Sequence, residues 1–351
     1  MRFHRPFPRF TALLPALVWV VLALASATLP SGRAWAAEGE QFIRIATGPL
    51  GGTYFPIGGL IAHTISNPPG SVPCDAGGSC GVPGLIAASV ASQGSIDNVG
   101  ALTAGQVQLG LSQADVARDA FDGSGVFAGK PPLSDLRSVA NLFAESVHVV
   151  VRKESPITGI ADLKGKRVAL GEQRSGTFAT AKTVLSGYRL APNDMVASAD
   201  ALTRATGRLA AGEIDALVMV GGYPLEAIAR LADTVAIRLL PIDGKPAETI
   251  LERDSTLAAS VIPAGTYPGT AETRTVGPRA QLLTSAKVSA ELIYAITKAL
   301  WNPRNRLVLD SSHPEGRAIL EINATEGLVV PLHPGAARYY GETNPKRDGR
   351  P

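Results

Sequence analysis

Four short segments carry the residues whose types and spacing suit chemistry: Gly48 to Tyr54, Ser112-Gln-Ala-Asp115, Gly171 to Phe178 and Gly221 to Pro224. They are rich in glycine, hydroxyls and amides. Such residues hold an anion better than they break a bond. A helix that starts in such a loop presents unpaired backbone N–H groups and roughly half a positive charge, which attract a carboxylate or phosphate. Thr53 and either Ser175 or Thr177 add hydroxyl donors, Gly176 leaves room for close approach, and Gln113 supplies an amide. Arg174 is placed to form a bidentate pair with a carboxylate, or else to sit as a solvated surface charge. Tyr54, Phe178 and Tyr223 read either as ligand contacts or as ordinary core residues. Glycine at a strand–helix junction is equally a turn device, and Ser or Thr there an N-cap.

Catalytic patterns are weak. Gly77-Gly-Ser-Cys-Gly81 fits the bare G-x-S-x-G string, but it lies in a Pro/Gly-rich loop and lacks the strand and helix that a nucleophile elbow requires. The first glycine loop is not followed by G-K-[ST], and there is no H-E-x-x-H. His63, His148, His313 and His333 share no metal spacing. No enzyme, catalytic residue, cofactor or metal site is therefore expected. Cys74 and Cys80, an even count in an exported chain, are expected to form a disulfide; two thiols alone do not complete a tetrahedral metal site.

The elements that must position these loops alternate. Phe42 to Ala46 reads as a strand, and Tyr54 to Ser66 carries helix-spaced apolar residues. Further strands are expected at Leu85–Ser92, Gln108–Ser112, Arg137–Phe143 and His148–Arg152, with helices over Ser95–Ala104 and Asp115–Phe121. The pattern then restarts with a strand at Lys166–Leu170, a helix from Ser175 to about Tyr188 and another over Leu202–Gly212. The buried strand Ala216–Val220, a helix to Leu231 and the strand Val235–Pro241 complete the second run. Gln281–Ser285 returns the chain to the first unit, and Ser289–Trp301 is an amphipathic helix. Strands alternating with helices argue for parallel α/β sheets, and two such runs argue for two lobes. All four glycine-rich segments follow the carboxyl end of a strand, the edge where open α/β sheets bind ligands.

The amino terminus reads as an export signal. Arg2, Arg5 and Arg9 precede an apolar stretch from Leu13 to Ala27, and Ala34-Trp35-Ala36 supplies a cleavage pattern, so cutting is expected after Ala36. A membrane anchor is the rival reading, but Pro15 and Pro30 leave an apolar run short of the roughly 20 residues that span a bilayer. Loss of four arginines with the leader turns a net charge of +3 into −1. The basic excess thus belongs to the leader, and nothing in the remainder favours nucleic acid or an anionic membrane.

Several motifs occur in order: Thr53-Tyr54-Phe55-Pro56, Gly94-Ser-Ile-Asp-Asn98, Gln113-Ala-Asp115 and His148-Val-Val-Val-Arg152, followed by Ala161-Asp-Leu-Lys-Gly165 and Ser175-Gly-Thr177. Ile262-Pro-Ala-Gly-Thr-Tyr-Pro-Gly269 and Leu332-His-Pro-Gly-Ala336 follow. Over Phe42 to Glu342 the set resembles the TAXI family of solute receptors from TRAP transporters. The resemblance implies a two-lobed type II periplasmic-binding-protein fold with the ligand in the cleft, an integral membrane TRAP permease as partner, and a glutamate- or 2-oxoglutarate-like ligand. It carries cleft contacts to Thr53, Tyr54, Gln113, Ser175, Gly176, Thr177 and the segment around Tyr223. Two features depart from the family pattern: Arg174 stands where many members have a small residue, and Asn67–Gly84 is longer than the usual connection.

The reading from sequence is therefore a periplasmic receptor that captures a small carboxylate by closing two lobes, with a monomer as the default state. The first lobe is expected over residues 37–151 and 262–351 and the second over 152–261, with a hinge near His148–Arg152 and Gln281–Ser285. The same fold serving an ABC importer, or a periplasmic enzyme on this scaffold, are the rivals.

Overall fold

The computed structural model describes Met1 and residues 40–343. Apart from Met1, the expected leader lies outside the described residues. The first strand, β1 (Gln41–Ala46), exposes Phe42 and buries Ile43 and Ile45, the period-2 alternation of a strand with one covered face. It pairs in parallel with β2 (Leu85–Val90) and β3 (Leu109–Gln113). β4 (Leu136–Ala144) completes the edge, and a strand from late in the chain, β12 (Arg279–Ser285), runs antiparallel between β3 and β4. The order of the first sheet is β2-β1-β3-β12-β4.

β5 (Ser146–Arg152) begins one residue after β4 but belongs to a second sheet, with β6 (Arg167–Ala169), β7 (Val196–Ser198), β8 (Ala216–Gly221) and β9 (Ile237–Leu239). The order there is β9-β5-β8-β6-β7. β5 runs antiparallel to β8 and β9. The two sheets thus repeat one plan: a strand that crosses from the other lobe is inserted antiparallel between the third and fourth strands made locally. This is the two-lobed type II arrangement expected from the sequence. β10 (Ala258–Ile262) and β11 (Thr273–Gly277), a hairpin the sequence reading missed, lead back to β12.

Helices α1 (Tyr54–Ile65), α2 (Ser95–Thr103) and α3 (Ala114–Asp122) serve the first sheet, and α4 (Gly176–Gly187), α5 (Leu202–Ala210), α6 (Glu226–Thr234) and α7 (Gly244–Arg253) the second. α8 (Ala290–Leu300), α9 (Arg306–Ser312), α10 (Pro314–Ala318) and α11 (Pro334–Thr343) follow the return to the first lobe. One apolar cluster joins α1, α8 and α11 to the first sheet through Ile57, Ile61, Ile293, Ile296 and Tyr340. A second buries Val99, Leu102, Val116 and Ala117 on its opposite face. The second sheet is covered likewise, by Ala181, Val184 and Ile250 on one face and Leu209 and Ile228 on the other.

The crossings bear on the expected lobe boundary and hinge. The lobe boundary expected at 151/152 falls inside β5, and the exchange between sheets occurs at Glu145 and at Gly277-Pro278. The hinge expected at His148–Arg152 and Gln281–Ser285 falls within strands paired on both sides, which resist bending. Ladder pairing breaks instead at Glu145, whose N–H donates to Pro278 O at 2.9 Å. A Cβ on Gly277 would lie 1.8 Å from Glu145 O, so only glycine lets the two crossings touch.

Candidate functional site

A cavity lies between the sheets and is lined from both lobes. The first lobe contributes Thr53, Tyr54, Gln93, Gly94, Ser95, Gln113 and Glu145. The second contributes Glu172, Ser175, Gly176, Thr177, Asp200 and Leu202, with Val218 and Met219 as an apolar wall. Thr53 is the N-cap of α1, Gly94 of α2, Gln113 of α3 and Ser175 of α4, and Leu202 opens α5. The amino-terminal ends of five helices therefore converge on one cavity. Each adds partial positive charge and first-turn N–H groups without an intrahelical partner. Pro56 sits in the first turn of α1, where a missing N–H costs no helical bond.

The hydroxyls expected to hold a ligand are occupied by the fold. Thr53 Oγ1 donates to Gly222 O across the cleft at 3.1 Å. Ser175 Oγ donates to Glu172 O at 2.6 Å and accepts from Phe178 N at 3.0 Å, capping α4. Thr177 Oγ1 accepts from Val220 N at 3.1 Å and lies 3.3 Å from Met219 Sδ, so it fixes α4 to β8. The N–H groups of Gly176 and Thr177 at the first turn of α4 and the Gln113 side-chain nitrogen remain without a protein acceptor among the described residues. Gln113 is buried and its Oε1 lies 3.3 Å from Thr180 Oγ1.

Six of the sequence-designated residues line the cavity: Thr53, Tyr54, Gln113, Ser175, Gly176 and Thr177. Three do not. Arg174 pairs with Asp97 across the rim at 2.5 Å, and its own carbonyl accepts from Asp97 N. Phe178 packs against the second-sheet core with Lys182 over its ring. Tyr223 precedes a cis peptide to Pro224, and its N–H donates to Glu315 Oε1 at 3.1 Å. His148 and Tyr267, both in motif segments, are structural as well. His148 Nε2 meets Tyr267 Oη at 3.0 Å, and Tyr267 Oη accepts from Leu225 N, tying β5 to the turn after Pro224. Burial pushes the His148 imidazole down to about 4, so it stays neutral.

Sequence reasoning missed Glu145. This carboxyl is 2% exposed and lines the cavity, and its Oε2 accepts from Tyr54 Oη at 2.8 Å. Burial away from water, with Asp115 and Glu315 nearby, pushes it up from 4.5 to about 8. The available signal was a lone acid between two apolar strands. Among the described residues, no Lys or Arg lines the cavity.

Hydrogen bonds join the two lobes beside the cavity. Thr180 Oγ1 of α4 donates to Asp115 Oδ2 of α3 at 2.6 Å, and Ala227 N of α6 donates to Gly51 O at 3.2 Å. A Cβ on Gly176 would lie 1.9 Å from Gln113 Oε1 and 2.6 Å from Ser95 Oγ, so the lobes meet at this glycine. Cys74 and Cys80 are joined as a disulfide, and their loop is pinned to the turn after α8 by Arg304 and Asn305. No cavity residue comes from Asn67–Gly84. Among the described residues, no helix is long and apolar enough to cross a membrane.

Among solved structures, the chain is similar in fold to the alkanesulfonate-binding protein SsuA of Xanthomonas axonopodis pv. citri bound to MOPS. They share 17% identity over 78% of this chain and 76% of that one, with a TM-score of 0.46. The substrate-binding protein of an amino acid ABC transporter shares 14% identity over 74% of this chain and 92% of its own, with a TM-score of 0.42. An ancestral arginine-binding protein bound to arginine shares 15% identity over 74% and 90%, with a TM-score of 0.44. The model of the NMT1-like family matches residues 45–343, most of the sequence, and the chain belongs to that family.

Proposed function

We propose that this protein is an extracytoplasmic solute receptor of the TRAP type, capturing a small carboxylate-bearing metabolite by closure of its two lobes and delivering it to a membrane permease. The observation that carries this reading is the convergence of five helix amino termini, three from one lobe and two from the other, on a single interlobe cavity. A ligand biases closure only if it interacts differently with the open and closed arrangements, and a cavity built from both lobes provides that difference. The Gln113 amide and the first turn of α4 supply donors for a carboxylate. The ordered motifs shared with the TAXI receptors favour the TRAP assignment over an ABC importer, and a periplasmic location follows from the expected leader.

The test is native mass spectrometry of the mature protein isolated from the periplasm, followed by calorimetry with the released molecule. A stoichiometric small acid is expected, bound roughly 10-fold more weakly by Gln113→Ala, since a lost hydrogen bond to a charged group is worth about 1.5–3 kcal/mol. A protein with no ligand from the periplasm and no affinity for small acids overturns the reading.

A further inference from the structure

We infer that Glu145 recognises a protonated amine on the ligand, so that the cleft accepts an amino acid and discriminates against the 2-oxo acid of the same skeleton. The inference deepens the receptor reading above and rests on it. Glu145 sits where the chain crosses between lobes, in the cavity wall and nearly inaccessible to solvent. Its Oε2 takes the Tyr54 hydroxyl, and no bond to the other oxygen is formed among the described residues. A buried carboxylate needs charged or donor partners. The groups around it supply no cation: Tyr54 on α1, Asp115 on α3 and Glu315 on α10 are neutral or acidic. Glu172 and Asp200 add two further carboxyls to the wall opposite. Asp200 is already paired with Arg208 and Arg204. A ligand ammonium supplies the charge that the cavity lacks, while the helix ends take its carboxylate.

Protons give the inference an independent readout. In the empty site burial holds the Glu145 carboxyl at about 8, so it is largely protonated near neutrality. An ammonium seated beside it favours the carboxylate and expels that proton. A ligand carboxylate in the same place favours the acid form and takes a proton up at pH 8.

The experiment is isothermal calorimetry of the mature protein in buffers of different ionisation enthalpy, using each common amino acid, its 2-oxo acid and the amine lacking the carboxylate. Expected is an amino acid that binds roughly 10- to 100-fold more tightly than its 2-oxo acid, with proton release near pH 7. Loss of most of that preference is expected in Glu145→Gln, which retains an oxygen for Tyr54 and whose fold is checked by circular dichroism. A 2-oxo acid binding as tightly as its amino acid, or proton uptake on binding, overturns the inference and leaves the receptor reading standing. An amine that binds as well as the amino acid supports Glu145 and overturns the carboxylate part of the proposed function. Binding of none of the three overturns both. Should Glu145→Gln misfold, the wild-type proton count and the amine–oxo comparison decide alone.

Discussion

Asp115→Asn tests the electrostatics of the junction between the lobes most directly. Asp115 is buried at the lobe junction, where Oδ1 accepts from Val116 N at 2.8 Å and Oδ2 from Thr180 Oγ1 of the other lobe at 2.6 Å. Removal from water lifts its pKa from 3.8 to about 7, only partly offset by those two donors. A carboxyl raised on folding favours the folded state below its unfolded value and loses that advantage as pH climbs through the folded value. Each pKa step is about 1.4 kcal/mol, so the ionised side chain costs about 4 kcal/mol in the limit, of which roughly 2–3 kcal/mol develops between pH 5 and pH 8. Asparagine mimics the protonated acid: its oxygen serves Val116, and its NH₂ donates to Thr180. The Thr180 hydroxyl then turns to Gly176 O at 3.2 Å. Differential scanning calorimetry of the unliganded protein across this range should show the wild type losing several degrees of Tm more than the variant as pH rises. Parallel profiles would refute the assignment of the acid-side stability to Asp115.

Two further outcomes follow from the packing. Gly176→Ala places a methyl against Gln113 and Ser95 across the cleft. Overpacking of about 1–3 kcal/mol should fall on closure rather than on folding; roughly 10-fold weaker binding with unchanged Tm, and a larger radius of gyration in solution scattering with ligand present, are expected, and unaltered affinity counts against it. Arg174→Ala removes an ion pair whose arginine side chain is 59% exposed; such pairs contribute less than about 1 kcal/mol, so ligand affinity should hold within about fivefold. A loss above tenfold means that Arg174 turns inward to the ligand.

What was legible in the sequence is what local chemistry determines. β1, α1, α4 and β8 were readable because their apolar spacing and glycine-rich ends are set within a dozen residues. The strand-end rule then led to Thr53, Gln113 and Ser175 without tertiary information. Their roles were less legible. A hydroxyl at a helix start looks the same whether it caps the helix, as Ser175 does, or ties it to a strand, as Thr177 does. Arg174 read as either an anion clamp or a solvated charge because Asp97, its partner, lies far away in sequence on α2. The β10–β11 hairpin escaped because neither strand has a clean alternation of buried and exposed residues and a Pro/Gly-rich segment separates them. Glu145 owes its importance wholly to topology. Only the crossing of β4 into β5 against Gly277-Pro278 puts it in the cavity wall.

The charge pattern of the cleft constrains the ligand more tightly than its shape does. Five helix ends offer partial positive charge, while Glu145 and Asp115 are carboxyls buried away from water. Closure on an empty cavity leaves Glu145 among Tyr54, Asp115 and Glu315 with no cation in reach, so it must hold its proton or oppose the closed state. Closure on a simple dianion satisfies the helix ends but adds negative charge beside Glu145. On the proposed reading a zwitterion would complement both halves at once, its carboxylate on Gly176, Thr177 and Gln113 and its ammonium on Glu145. Because Gln113 belongs to the first lobe and Gly176 to the second, the complementarity proposed above would need the two lobes together, which is the condition for a ligand to drive closure.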